Sequence, residues 1–129
     1  METIAVLSDI QTPFHDVPVV KLVRTFLASA RPDHLYLLGD IADFYDISSF
    51  ARDPARRLHL REELDETIEL ISAFRSALPD AQIHFVGGNH EARLQTYLWT
   101  QAPELSGLRG LDVPSLLNAT GSARPSRRL

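Results

Sequence analysis

The sequence predicts an α/β domain built on parallel strands, and three observations lead there. Three short β-prone runs, at residues 3–7, 34–38 and 82–86, alternate with segments of helical periodicity, the pattern of right-handed strand-helix-strand units. Each run is followed at once by a polar cluster: Asp9-Ile10-Gln11, then Gly39-Asp40 with Asp43, then Gly88-Asn89-His90-Glu91. Parallel strands bring their C-terminal ends to one edge, so clusters far apart in sequence are expected to share one crevice.

The first strand, residues 3–7, is compact and apolar and reads as buried on both faces. Beyond Pro13, Asp16 is a helix N-cap with Pro18 in the first turn. Val19, Leu22, Val23, Phe26 and Leu27 then recur at helical spacing until Arg31-Pro32. The second strand, 34–38, delivers Gly39-Asp40. Residues 41–60 are irregular, with Asp53-Pro54 and a basic stretch of Arg52, Arg56, Arg57, His59 and Arg61. Because Glu62, Glu63, Asp65 and Glu66 follow at once, this stretch is expected to be a solvated amphipathic face. From about Glu62 a helix carries Leu64, Ile68, Ile71, Phe74 and Leu78 on one stripe and stops at Pro79.

The third strand, 82–86, is broken by Gly87-Gly88. A further helix follows through Leu94 and Leu98, in which Tyr97 and Trp99 read as packing aromatics. His34 and His84, inside strands, read as core or edge histidines. Gly107, Gly110 and Pro114 interrupt any long helix later on. The expected organisation is one domain over 1–118 and a disordered Arg/Pro/Ser tail over 119–129, which has almost no bulky side chain to bury.

With 129 residues and 44% apolar content the chain suits a single domain. A formal charge of -4 gives no global case for binding a polyanion. The absence of cysteine excludes disulfides and thiolate metal sites, leaving carboxylates, amides and imidazoles as ligands. No signal peptide is visible, and the apolar runs fall far short of the roughly 18 residues of a membrane span, so a cytoplasmic protein is expected, with no membrane partner.

Two carboxylates at neighbouring strand ends repel unless a cation lies between them, which makes Asp9 and Asp40 candidate metal ligands. Gln11 and Asn89 add amide oxygens, and His90 adds a ligand or proton donor. Such residues suit a dinuclear site that holds a phosphate and activates water.

These blocks resemble the calcineurin-like metallophosphoesterase superfamily, whose pattern runs Asp-x-His, Gly-Asp-x-x-Asp, Gly-Asn-His-Glu and then two later histidine motifs. Gln11 stands where the first histidine is usual. Residues 8–16 and 88–94 are most similar to phosphoesterases of phages and their bacterial hosts, which would place the protein in the host cytoplasm if phage-encoded. The resemblance implies an αββα sandwich of which this chain supplies one sheet with flanking helices, in truncated form. It further implies Asp9 and Gln11 on a first metal, Asp40 bridging, Asn89 on a second, and His90 as the acid at the leaving group. Asp43, Glu91 and His15 would act as second-layer or structural residues.

The implied cofactors are two divalent ions, with Mn²⁺ preferred and Fe, Zn or Ni compatible, or one ion or none in this form. The implied substrate is a phosphate mono- or diester, nucleotides and nucleic acids included. The resemblance covers residues 3–117, the N-terminal half of the usual domain, and no histidine follows His90. Two readings therefore stand at this stage: a metal-dependent phosphoesterase with an incomplete site, and a catalytically defective remnant or interaction module with a vacant or single-metal site. An uncovered sheet is also expected to self-associate or to be only marginally stable. A haloacid-dehalogenase-type phosphatase is disfavoured by Gln11 and by the lack of lysine after Lys21, and a dinucleotide-binding fold by the missing glycine fingerprint.

Overall fold

The computed structural model describes residues 1–56 and 59–119. Its sheet has three parallel strands in the order β1 (Ile4–Leu7), β2 (His34–Leu38), β3 (Gln82–Val86). Ile4 lies opposite His34 and Leu7 opposite Leu37, while His34 lies opposite Gln82 and Leu38 opposite Val86. Helix α1 (Val17–Ala30) joins the first two strands and α2 (Leu60–Ala77) precedes the third; α3 (Ala92–Gln101) and the single turn α4 (Val113–Leu116) follow.

The helix boundaries follow from local chemistry. Asp16 accepts a hydrogen bond from the Val19 N–H at 3.0 Å, capping α1, and Arg31 closes it in the left-handed conformation with its N–H on the Leu27 carbonyl. Helix α2 begins two residues before the expected Glu62, because the Glu62 carboxylate reaches back to the His59 N–H at 3.3 Å and fixes a first turn from Leu60.

Both α1 and α2 cover the same face of the sheet. Leu27, Phe74 and Leu78 pack on Leu35, Leu37 and Ile83, with Ala5, Leu7 and Phe85 at the margin. A second cluster lies beyond the strand ends, where Leu94 and Leu98 of α3 meet Ala42 and Phe44, with Leu111, Val113 and Leu116 packed around them. Two expectations are corrected here. Strand β1 is covered on one face only, since Ile4 and Val6 are 57% and 54% exposed. Helix α1 likewise buries Leu27 and half-buries Val23 while Leu22 and Phe26 face outward. Of the expected tail, Ala119 bonds through its N–H to the Pro114 carbonyl at 2.8 Å, and 120–129 lie outside the described residues.

Candidate functional site

The strand ends leave extended geometry abruptly. Asp9, Gln11, Asp40 and Phe44 all have φ between 54° and 56°, a left-handed conformation uncommon for non-glycine residues and concentrated at functional turns. Backbone hydrogen bonds hold the first two clusters side by side: Asp9 N–H to the Gly39 carbonyl (3.2 Å), Gln11 N–H to that of Asp40 (2.9 Å), and Thr12 N–H to that of Ile41 (2.8 Å). The expected grouping of Asp9, Gln11 and Asp40 is thus imposed by the main chain.

The third cluster joins by close contact of glycines. A Cβ on Gly88 would lie 2.4 Å from Asp40 Oδ1, and one on Gly39 would lie 2.7 Å from the Gly88 Cα, so no side chain fits between these turns. Across the contact, the His90 N–H donates to Asp40 Oδ1 at 2.9 Å. Glu91, almost fully buried, completes the join. Its carboxylate accepts from the N–H groups of Asp40, Ile41 and Gly88 at 2.8 Å each and from Ala42 at 3.1 Å. Four donors on one carboxylate tie the Gly39 turn to the Gly88 turn.

The His90 imidazole is mostly buried. Its Nδ1 lies 3.0 Å from the Asp43 carbonyl and 3.5 Å from Asp43 Oδ2. A carbonyl only accepts, so the proton sits on Nδ1, and Nε2 is left 3.4 Å from the Arg93 guanidinium. Arg93 also bonds the Asp43 carbonyl at 2.8 Å and its carboxylate at 3.2 Å. Asp43 therefore orients both His90 and Arg93. His15 stands apart: with Asp9 it borders a small cavity of 240 Å³ against α1, and its Nδ1 is buried without a hydrogen-bond partner.

Sequence reasoning missed two residues. Arg93 lies inside the third block, at a position whose role the sequence pattern does not signal. Glu63 reads in sequence as part of a solvated acidic face, yet only 1% of it is exposed, and its carboxylate accepts from the N–H groups of Phe44 and Tyr45. Burial, opposed in part by those two hydrogen bonds, pushes its pKa up to about 7. A signal was available: Glu63 and Thr67 occupy positions on the inward stripe of α2, where a charge needs a partner. The reading of Tyr97 and Trp99 as packing aromatics is corrected, since both are exposed.

The donors at the strand ends are two carboxylates, Asp9 and Asp40, and two amides, Gln11 and Asn89. Among the described residues no group of three or more histidine, aspartate and glutamate side chains converges to hold a metal ion. This donor chemistry fits one hard divalent cation and does not complete a pair of tightly held ions.

Fold and site together define a parallel α/β protein whose strand-end turns, carrying Asp9, Gln11, Asp40 and Asn89, meet at one edge of the sheet. The chain belongs to the calcineurin-like phosphoesterase family, whose model matches residues 2–120. Members of that family are metal-dependent phosphoester hydrolases with a dinuclear site. The chain is 28% identical over 104 residues to the Gene 54 protein of Mycobacterium phage D29, an alignment covering 79% of this chain and 41% of that protein. The match thus spans about two fifths of the length of that relative. No solved structure matches it.

Proposed function

We propose that this chain carries the N-terminal part of a metal-dependent phosphoesterase site, in which Asp9, Gln11, Asp40 and Asn89 hold divalent metal and His90 manages the leaving-group proton. The observation that carries this reading is the join of three sequence-distant clusters at Asp40, whose carboxylate takes the His90 N–H while its own N–H is held by Glu91. Mn²⁺ is the favoured ion, because carboxylate and amide carbonyl oxygens suit it. A bound divalent ion neutralises charge on a phosphate and lowers the pKa of an attacking water.

The chain's own groups set the proton path. With Nδ1 donating to the Asp43 carbonyl, His90 presents Nε2 as the atom that takes up a proton and passes it to the departing oxygen. Asp43, with its carbonyl at 3.0 Å and Oδ2 at 3.5 Å from Nδ1, holds the ring in this orientation. Arg93, held by Asp43, adds a fixed positive charge beside the phosphate position.

A second reading, a binding module with one ion or none, is favoured by the absence of a third converging acid or imidazole among the described residues. Hydrolysis of bis(4-nitrophenyl) phosphate with Mn²⁺ separates the two. Turnover that is lost in Asp40→Asn supports the enzyme, whereas Mn²⁺ binding without turnover selects the module. Among the described residues no helix is long and apolar enough to cross a membrane. The phage relative supports a host-cytoplasmic location in this reading, and the uncovered sheet face supports self-association.

A further inference from the structure

A groove of about 530 Å³ opens beside Asn89, between the segment at 46–52 and the outer side of α3. This is within the roughly 300–1,000 Å³ typical of small-molecule sites. Its walls present two aromatic rings to solvent: Phe50 is 72% exposed and Tyr97 41%. Exposed rings set in a concave wall are unusual, and their cost is offset when a flat apolar surface covers them.

Two arginines accompany the rings. The Arg93 guanidinium carbon lies 5.9 Å from the centre of the Phe50 ring, while its nitrogens hold Asp43 beside His90, so one side chain links the groove to the strand-end site. Arg52 is half exposed and is oriented by the Asp46 carbonyl and, at 3.3 Å, by the Asp46 carboxylate. Along α3 the hydroxyls of Thr96 and Thr100 bond back to the Ala92 and Thr96 carbonyls, at 3.2 and 2.8 Å, which commits these donors to the helix's own carbonyls.

From these features we propose that the groove is a base-binding subsite for a nucleoside monophosphate or its ester. The base stacks on Phe50 and Tyr97, and the phosphate points past Arg93 toward Asn89. The proposal rests on the phosphoesterase reading for the position of the phosphate, and on the groove alone for the base. A mononucleotide is favoured over a nucleic-acid strand because the site is short and the chain's formal charge is -4; a strand needs an extended basic track. Sequence reasoning could not find this site, since Phe50 and Tyr97 belong to no common motif and come to line one groove only when α3 folds back beside the 46–52 segment.

The test is calorimetric titration of the full chain with AMP and with ribose 5-phosphate, with and without Mn²⁺, and repeated for Phe50→Ala and Tyr97→Ala. Both variants replace exposed rings, and thermal melts check that they fold. The expected result is AMP binding at least tenfold tighter than ribose 5-phosphate. Each variant loses roughly 5- to 100-fold for AMP, as expected for loss of one stacking surface. The variants leave ribose 5-phosphate and Mn²⁺ affinities unchanged. Equal affinity for the two phosphates, or a preference that survives both substitutions, overturns the subsite. Tighter, steeply salt-dependent binding of a single-stranded oligonucleotide overturns the mononucleotide assignment. Absence of Mn²⁺ binding refutes the phosphoesterase reading separately, because the metal-free preference for AMP still reports the groove.

Discussion

Glu91 fixes the site's geometry at the residue scale without touching any reacting group. It satisfies four backbone donors in a nearly dry environment, and leaving such groups unpaired costs about 1–3 kcal/mol each before the turns relax. Glu91→Ala is therefore expected to destabilise the fold by roughly 3–5 kcal/mol in urea denaturation, among the largest single-residue effects in the chain. Glu91→Gln, which turns a donor toward these N–H groups, should lose about half as much. The meeting of the Asp9, Asp40 and His90 turns was legible because parallel strands bring their C-terminal ends to one edge. Orientation was not legible. A glutamate beside a histidine looks the same in sequence whether it faces the substrate or clamps the backbone, and only the fold shows that Glu91 faces inward.

At the scale of elements, the strands and the caps of α1 were legible because apolar runs, Asp16, Pro18 and Pro32 act locally. The burial of α2's acidic residues was not, because it depends on where the Gly39 turn lands. Glu63 reaches across from α2 to hold Phe44 and Tyr45, just beyond the site. Its pKa is about 7 in the fold, against an ordinary 4.5, so the folded state binds a proton that the unfolded chain releases between those values. The stabilisation from protonated Glu63 is thus complete below pH 4.5 and is lost as pH rises through about 7, on the order of 3 kcal/mol in all. Subtracting the stability profile of Glu63→Gln from that of the native protein, by denaturant titration from pH 4 to 8, should isolate this slope; parallel profiles would show that Glu63 does not carry it. The contact between turns makes a second demand. Gly88→Ala should weaken Mn²⁺ binding at least tenfold, because its Cβ occupies the place of Asp40 Oδ1.

At the scale of the whole molecule, the described helices α1 and α2 cover one face of the sheet, and among the described residues the other face is left uncovered. Ile4 and Val6 of β1, Leu38 of β2 and Val86 of β3 are all exposed there. His34 and His84 hydrogen-bond across the same face at 3.0 Å, with Tyr36 stacked on His84. The compact apolar run of β1 reads as buried on both faces, and the resemblance to half of a two-sheet sandwich implies an uncovered sheet; among the described residues β1 is covered on one face, with Ile4 and Val6 exposed on the other. Concentration-dependent association is expected in sedimentation velocity, and Val6→Thr with Val86→Thr should shift it toward monomer without disturbing the site at the far ends of the strands. The central claim, that three strand-end clusters form one cation site, is tested most directly by calorimetric titration with Mn²⁺ of the native chain, Asp40→Asn and His90→Ala. The account predicts binding by the native protein, its loss in Asp40→Asn, and retention in His90→Ala. No binding by the native chain, or equal binding by Asp40→Asn, would contradict it.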